Sequence, residues 1–533
     1  MKNIIRLISF LLAAVMFLSL SSCKKAQDGN ASNEKPLEAT TASTRALRLL
    51  YSASDTLNPY TAQTDLNRKL SLLIFDPLVR LNNDFEPQYI IADSVVLENG
   101  LCTVKLKNVY FTDGTPLTAD DVVYSFNTAK GSASEYAYQL YEVQSATAVD
   151  SSTVSFKLDR NDIYFERLLV FPIIKSGSDK TTDVDGRQIT PIGSGRYIPN
   201  AEGDKLVANK DYSYGKINVG EISLINAPDG EAVSHYVEIG AVDMYYTDTA
   251  DLNIVRMSGK KSTVNMNSLV YIGINHSYGQ LGSRELRHAI SSALDRAAVC
   301  KEAYHNNAVA ATGFYNPAIK LTEAVQNIQT SANTQISIEN LEEIGDNGLD
   351  NSGMRINSSG NRIRLTLMVN GENAARVAAA KLVARQLSQV GIEITVIERS
   401  FAEYSAALAS GSFQLYLGEV KTLANMDLAP LTVAGGSCAY GLVAAEPSAE
   451  ETTEEKPAED GTAATASIAD IINGFYSGAN TITDIAVALQ TELPVIPLCF
   501  RQGLLFCGED VANVGEASES DIYFSIGDYT VKK

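Results

Sequence analysis

Apolar and polar residues alternate along several short stretches of this chain. The clearest are 103–107 and 153–158, in which every second side chain is apolar. A period of two is typical of a β-strand with one buried face, because successive side chains point to opposite sides of a sheet. These stretches therefore predict half-buried sheet.

Helical spacing is found between the predicted strands. Thr118 followed by Asp121 resembles a capping box, and apolar residues then recur on one face as far as Ala129. This pattern predicts a helix over about 119–130. A second apolar stripe predicts another helix over 286–297, running without a break through Asp295 and Arg296.

A third segment combines both periods. Apolar residues alternate over 363–369, recur at helical spacing over 375–390 up to Gly391, and alternate again over 392–396. A strand, a helix and a strand of this length predict a βαβ crossover with parallel strands. The chain is therefore expected to belong to the α/β class.

The N-terminus has the pattern of an export signal. Lys2 and Arg6 precede an apolar run over 7–20 that is too short for a comfortable membrane span. The run ends in Leu-Ser-Ser-Cys, which resembles a bacterial lipobox and implies cleavage before Cys23 and lipidation of that residue. We expect residues 1–22 to be a lipoprotein signal peptide and the polar stretch 23–46 to be a flexible tether.

Length and charge limit the possible functions. The 533 residues exceed what one hydrophobic core usually supports, and 45% of them are apolar, so several folded units are expected. With 43 basic and 63 acidic residues the net charge is −20, which argues against a nucleic-acid-binding role. Seven of these acids lie in the stretch 446–460, which is therefore expected to be a solvated loop.

Cysteine and histidine spacing does not support a metal centre or a disulfide framework. Five cysteines follow Cys23, without Cys-x-x-Cys spacing, and the four histidines form no His-Glu-x-x-His pair. Cys499 and Cys507 flank a predicted hairpin with its turn at 501–503, which does not place them opposite each other. We expect buried thiols, no metal and no cofactor.

Hydrolase chemistry is also poorly supported. The segments around Ser194 and Ser437 lack the Gly-x-Ser-x-Gly spacing of a nucleophile elbow. We therefore expect a protein that is not an enzyme, and we keep a secreted hydrolase as an alternative.

An ordered series of motifs covers nearly the whole exported chain. It includes Thr56-Leu57-Asn58-Pro59, Phe75-Asp76-Pro77-Leu78-Val79-Arg80-Leu81, Tyr110-Phe111-Thr112-Asp113-Gly114-Thr115-Pro116-Leu117, Pro191-Ile192-Gly193-Ser194-Gly195-Arg196-Tyr197, Gly240-Ala241-Val242-Asp243, Arg287-His288-Ala289-Ile290 and Leu493-Pro494-Val495-Ile496-Pro497. The series resembles the family 5 extracellular solute-binding proteins, the peptide and nickel receptors of ATP-binding-cassette (ABC) importers.

The resemblance implies a two-lobed fold of the periplasmic-binding-protein kind (type II, cluster C), with an extra domain in the first lobe. It places domain Ia in 47–63, 190–270 and 500–533, and domain Ib in 64–189. Lobe II would span 271–499 and contain a disordered acidic loop over 446–466.

The resemblance also places the ligand in a cleft between the lobes. The residues it implies are Thr61, Gln63, Thr64, Tyr271, Tyr416, Glu419, Lys421, Asp427, Ser437 and Tyr440. Either Glu419 or Asp427 would pair with a ligand ammonium group and Lys421 would meet a carboxylate; the sequence leaves the choice between the two acids open.

The implied function is that of the substrate-binding component of an ABC importer. It would be a monomer, anchored through Cys23 on the extracytoplasmic side of the cell membrane, that delivers short peptides to permease subunits. The alternatives are a receptor for nickel, a metal chelate or another small solute, and a peptide sensor that does not transport.

Overall fold

The computed structural model describes residues 43, 45–184, 186, 188–250, 254–326, 328, 332–346, 348–443 and 466–532. The predicted signal peptide, Cys23 and nearly all of the tether and the acidic loop lie outside these residues. The strands are β1 Leu47–Tyr51, β2 Val79–Leu81, β3 Pro87–Tyr89, β4 Ala92–Glu98, β5 Leu101–Leu106, β6 Val143–Asp150, β7 Thr153–Leu158, β8 Tyr197–Pro199, β9 Lys205–Ala208, β10 Glu221–Asn226, β11 Met244–Thr247, β12 Lys260–Ile274, β13 Ala308–Ala310, β14 Gly348–Leu349, β15 Arg355–Ile356, β16 Arg364–Asn370, β17 Glu393–Arg399, β18 Leu415–Lys421, β19 Val495–Cys507, β20 Val511–Ala512 and β21 Thr530–Val531.

Helices alternate with these strands. They are α1 Asp65–Ile74, α2 Ala119–Gly131, α3 Glu135–Gln139, α4 Gly230–Glu238, α5 Arg284–Ser292, α6 Arg296–Glu302, α7 Thr334–Glu343, α8 Ala374–Gln389, α9 Phe401–Ser410, α10 Ala429–Thr432, α11 Ile468–Tyr476 and α12 Ile482–Glu492. Short 3₁₀ turns occur at Phe165–Leu168, Ser178–Lys180, Gly279–Gly282, Lys320–Val325 and Ile526–Asp528. Among the described helices, none is long and apolar enough to cross a membrane.

The largest sheet has the strand order β11-β19-β12-β18-β16-β17, with β13 paired to β19. Strands β16 and β17 are parallel and in register from Arg364 opposite Glu393 to Asn370 opposite Arg399, with α8 between them in the chain. The predicted βαβ crossover is confirmed. Apolar side chains of β16, α8 and α5 form one core on this sheet.

Two four-stranded sheets lie outside the large one, in the orders β1-β10-β9-β8 and β4-β5-β7-β6. The predicted strands at 103–107 and 153–158 correspond to β5 and β7, which pair antiparallel. Helix α2 begins with the predicted capping box between Thr118 and Asp121. Its Phe126 packs edge-on against Phe156 of β7, so the helix covers this sheet.

The motif Gly193-Ser194-Gly195 is a close-packing site. A Cβ atom on Gly193 would lie 2.2 Å from the carbonyl oxygen of Ile74, and one on Gly195 would lie 2.4 Å from the carbonyl carbon of that residue. The Gly195 amide donates to the Ile74 carbonyl across 2.9 Å. The backbone therefore touches the end of α1, and the motif is part of the scaffold.

Two details differ from the sequence-based predictions. The helix expected over 286–297 is split, because the Asp295 side chain caps a new helix, α6, by accepting from Ala298. The hairpin expected at 501–503 is wrong, since β19 runs straight through it. Cys499 and Cys507 are free, buried thiols, as predicted.

The two longest strands carry an irregularity that positions the site. β12 and β19 pair antiparallel, but the register shifts between Asn265 and Leu269. Asn265 lies opposite Gln502 and Leu269 opposite Phe500, so residues 266–268 face Arg501 alone. This bulge interrupts the ladder and turns residues 266–268 towards the cavity described next.

Candidate ligand-binding cavity

A cavity of about 530 Å³ lies beside the bulge. Part of its lining comes from strands of the large sheet and the residues directly after them, namely 246, 248, 266–268, 421–424 and 501. The rest comes from residues within the segments 59–72, 81–85, 133–139, 167–170 and 519–520. Its volume is within the range of small-molecule sites, roughly 300–1,000 Å³. The cavity is therefore large enough to hold a ligand between two parts of the fold.

An ion pair spans this cavity. Lys421, the last residue of β18, lies 2.8 Å from Glu135 at the start of α3 and 3.5 Å from Glu519. The charge of Lys421, supported by Lys69 and Arg68 and opposed by burial, lowers the pKa of Glu135 to about 2. Burial would lower the pKa of Lys421, but the two carboxylates raise it above its ordinary value. Glu135 and Lys421 are therefore both charged at neutral pH.

Helix α1 contributes two more cations. Arg68 pairs with Asp65 across 2.8 Å on the same helix. Lys69 has no ion-pair partner among the described residues; its ammonium lies 5.5 Å from the ring centre of Tyr246, a cation–π contact. Lys69 therefore contributes a positive charge that acts on Glu135 from a distance without forming a direct ion pair among the described residues.

A buried network lies beneath the bulge. Arg501 Nε lies 2.6 Å from Glu419 Oε1, and Arg376 of α8 lies 2.6 Å from the other oxygen of the same carboxylate. Burial would lower the pKa of Arg501, but Glu419 and Asp248 raise it. Each oxygen of the Glu419 carboxylate thus pairs with one arginine, and these ion pairs join α8 to the large sheet.

Asn267 of the bulge has one unused acceptor. Its Nδ2 donates to the Thr422 carbonyl across 3.0 Å, and its backbone amide donates to Glu519 across 3.0 Å. Its Oδ1 has no hydrogen-bond partner within the described parts of the chain, although only 3% of the residue is exposed. Arg167 Nε is in the same situation. Buried groups of this kind are costly unless a partner reaches them.

A second set of contacts, which we call the clasp, joins the small antiparallel sheet to the segment after β18. Arg160 Nη2 lies 2.9 Å from Asp427 and 3.0 Å from Glu142, as ion-pair contacts without aligned hydrogen-bond geometry. The Arg160 guanidinium also stacks 4.0 Å from the ring centre of Tyr476, and Tyr141 donates to Asp427. The Asp427 side chain is completely buried.

The structure places only two of the ten ligand-binding residues predicted from the sequence, Gln63 and Lys421, in the cavity wall. Thr61 and Thr64 flank Gln63, and Thr64 caps α1 while donating to Asp55 across 2.7 Å. Glu419 faces Arg376 and Arg501, and Asp427 belongs to the clasp. The role of each of these residues in binding remains a prediction.

The predicted aromatic residues form a cluster behind the cavity. The Tyr271 and Tyr416 hydroxyls are 3.2 Å apart and both rings are buried, while the half-buried Tyr440 packs edge-on against Tyr416. Ser437 is exposed nearby in the chain. A Cβ atom on Gly273 would lie 2.0 Å from the Tyr416 ring, so the cluster also depends on glycine.

Sequence reasoning missed most of the cavity. Lys69, Glu135, Asn267, Arg501 and Glu519 are scattered over the chain and belong to no recognisable motif. A charged residue within the apolar strand β19, Arg501, was the one visible signal. In the described part of the chain, no group of three or more His, Cys, Asp or Glu side chains is placed to hold a metal ion.

The chain is similar in sequence to a family of known proteins. The profile of the bacterial extracellular solute-binding proteins, family 5 (middle), matches residues 86–432. Oligopeptide-binding protein AppA of Bacillus subtilis is 24% identical over 436 residues, covering 76% of this chain and 77% of AppA.

Solved structures establish the fold. A nickel ABC transporter protein from Bacillus halodurans superposes with a TM-score of 0.70 at 19% identity, covering 91% of this chain and 100% of that one. Bacillus subtilis AppA in complex with a nonapeptide gives 0.57 at 17% identity, covering 92% of this chain and 100% of that one. The two-lobed α/β fold predicted from the sequence is thereby confirmed.

Proposed function

We propose that this chain, which belongs to the bacterial extracellular solute-binding proteins of family 5, captures short peptides in its cavity and delivers them to the permease of an ABC importer. The cavity itself carries this proposal: about 530 Å³ lined by groups from both parts of the fold, with a donor and an acceptor that have no partner among the described residues. One relative, AppA of Bacillus subtilis, is named for oligopeptide binding and was solved with a nonapeptide.

Peptide capture fits the chemistry of the lining. A peptide offers N–H donors to the Asn267 oxygen, carbonyl acceptors to Arg167, and charged termini to the lysines and carboxylates. No bond is made or broken in this process, so we expect binding without turnover. Gln63 and Lys421 are the ligand contacts we favour first, because they already lie in the wall.

The domain division inferred from the sequence is part of this proposal. The sheet from β4 to β7 lies within 64–189, and β16 to β18 lie within 271–499. Strands β12 and β19 cross the proposed boundaries at 270/271 and 499/500. In this scheme they are the connections about which the lobes open and close.

Lipid anchoring at Cys23 rests on the Leu-Ser-Ser-Cys pattern. We expect the protein to be a monomer held on the extracytoplasmic face of the cell membrane. Labelling cells with a fatty-acid analogue should mark the wild type, while Cys23→Ser should lose the label and leave the membrane fraction. A variant that stays labelled would exclude this anchor.

Peptide binding is tested by titration calorimetry of the full-length protein with alanine peptides of two to five residues. The wild type should release heat and gain thermal stability, and Lys421→Met should bind more weakly. Lys205→Met, which removes an exposed partner of Glu221, should behave as the wild type. Absence of both heat and thermal shift with every peptide would refute the proposal.

The same protein preparations and deletion strains distinguish peptide import from two alternative functions. Nickel, alone or with histidine, should give no heat if the ligand is a peptide; binding of either would favour the metal-chelate alternative suggested by the nickel-transporter neighbour. A sensor would bind peptides, yet deleting the permease genes would leave its signal intact. Loss of peptide uptake upon deletion of this protein supports the importer.

A further inference from the structure

Three of the five cations of the cavity are grouped around one carboxylate, Glu135. Lys421 touches Glu135, and Lys69 and Arg68 are both close enough to lower the pKa of that carboxylate. These cations come from α1 and from the end of β18, which are more than 300 positions apart in the sequence. The fold thus brings cations from two segments to one place in the cavity.

The charge of the lining differs in sign from that of the whole chain. The chain carries a net charge of −20, whereas the cavity wall contains five basic and four acidic residues. The basic residues are Arg68, Lys69, Arg167, Lys421 and Arg501, and the acidic ones are Asp65, Glu135, Asp248 and Glu519. The lining thus has one more basic than acidic residue, in a chain that is strongly acidic overall.

Most of these charges are already neutralised, and Lys69 is the exception. Arg68 pairs with Asp65, Arg501 with Glu419, and Arg167 lies 3.4 Å from Glu86. Among the described residues Lys69 has no ion-pair partner within hydrogen-bonding reach; it lies over the Tyr246 ring and is close enough to Glu135 to lower the pKa of that carboxylate. One further anion next to Lys69 would complete the pairing in this part of the cavity.

We propose that Lys69 and Lys421 together bind a carboxylate of the ligand, and that Glu135 takes the place of that carboxylate while the cavity is empty. The side chains of Lys421 and Glu135 are 41% and 46% exposed, so a ligand can reach both. Glu135 is at the start of a short helix and is able to turn away from Lys421 into solvent. The inference rests on the proposed function and names the ligand chemistry.

If the ligand carboxylate replaces Glu135 next to Lys421, substitutions of Lys69 and Glu135 should change ligand affinity in opposite directions. Removing Lys69 takes away one partner of the ligand carboxylate, and a charge-assisted contact of this kind corresponds to roughly a tenfold loss of affinity. Removing the charge of Glu135 takes away a competitor for Lys421, which should tighten binding by about threefold, as expected for a partly exposed ion pair. A structural role for Glu135 would weaken binding instead.

A carboxylate has two sources in a peptide, its C-terminus and an acidic side chain. Three probes separate them: alanine peptides of two to five residues with a free C-terminus, the same peptides with a C-terminal amide, and amidated peptides carrying one glutamate. Weaker binding of only the plain amides indicates that either source is accepted. Weaker binding of both amidated sets assigns the site to the C-terminus.

The test compares wild type, Lys69→Met, Glu135→Gln and the surface control Lys205→Met by calorimetry in low and high salt. Lys69→Met should bind carboxylate peptides more weakly and plain amides as well as the wild type does. Glu135→Gln should bind carboxylate peptides more tightly than the wild type. High salt should weaken the carboxylate peptides most. Thermal unfolding without peptide checks that all four fold alike.

Two results would overturn the inference while leaving peptide binding intact. One is equal affinity of the wild type for all three probes; the other is unchanged binding by Lys69→Met together with weakened binding by Glu135→Gln. If the wild type binds none of the peptides, the proposed function itself fails, and this inference fails with it.

Discussion

The clasp allows a quantitative prediction about stability. In Arg160→Met, the buried Asp427 keeps, among the described residues, only the Tyr141 hydroxyl and the backbone amide of Ala429, which donates to it across 2.9 Å. Breaking a buried ion pair by removing one partner costs about 3–5 kcal/mol. Because Arg160 is 19% exposed and Asp427 retains two donors, we take the lower end, about 3 kcal/mol.

Loss of the stacking on Tyr476 adds about 1 kcal/mol, so Arg160→Met should lower the free energy of unfolding by about 4 kcal/mol. Asp427→Asn keeps the shape of the side chain and should cost about 2 kcal/mol. Once Arg160 is gone, a charge at position 427 no longer has a cationic partner. The double variant should therefore be no less stable than Arg160→Met, which gives a coupling energy of about 2 kcal/mol.

Urea unfolding at pH 8 measures this cycle. Far-ultraviolet circular dichroism and tyrosine fluorescence serve as the two probes, since the chain contains no tryptophan. The exposed pair Lys205 and Glu221 provides a matched control cycle, with an expected coupling below about 0.5 kcal/mol. If the clasp cycle is also additive within about 0.5 kcal/mol, the ion pair does not stabilise the fold and our reasoning is refuted.

Three further predictions use the same equipment. Burial raises the pKa of Glu142 to about 7; Asp427 adds to this effect and Arg160 opposes it. Between about pH 5 and 7 the folded protein therefore binds a proton at Glu142 that the unfolded chain releases. The stability of the wild type relative to Glu142→Gln should rise as the pH falls from about 8 to 5, and a constant difference would contradict this. Gly273→Ala should lower the free energy of unfolding by about 3 kcal/mol because the new Cβ meets the packed Tyr416 ring; an unchanged melting temperature would disprove the contact. Asp243→Asn should cost about 2–3 kcal/mol, because two arginines surround this carboxylate and, against the effect of burial, lower its pKa. That cost should be complete above about pH 5 and shrink as the pH falls below 4; a cost that does not change with pH would count against it.

Local sequence patterns were sufficient to predict a helix or strand where that element buries one face. The crossover over 363–396 was predictable because each strand and the helix repeats its own period, and the tight turns between them leave little choice of pairing. The same logic failed at Asp295. Its side chain caps α6, and in this context the cap outweighs an apolar stripe that would have continued the helix.

The position of Glu419 shows a signal that the sequence did contain. In β18, residues two apart share a face, so Glu419 lies on the same side as the buried Leu415 and Leu417. That side packs against α8, which presents Arg376. Strand periodicity alone would have directed this carboxylate to the helix rather than to the ligand.

The rest of the cavity could not be derived from local sequence. Hundreds of positions separate Lys69 from Glu519 in the sequence, and Glu135 lies between them. Each resembles an ordinary surface charge in its own segment. They meet only because the segments before β2, after α2 and at the C-terminus converge next to the large sheet. Such convergence follows from the family fold, which the ordered motifs identified.

In mechanical terms, the bulge makes the long strand pair uneven in stiffness. From Lys260 to Asn265 the two strands are joined by a regular ladder that resists bending, whereas at the bulge three residues face only Arg501 and the register shifts again between Val270 and Tyr271. Bending by thermal motion should therefore concentrate at the bulge. Since Arg501 also contacts Glu419 and the bulge lines the cavity, a ligand lying there would stiffen the most irregular stretch of this strand pair.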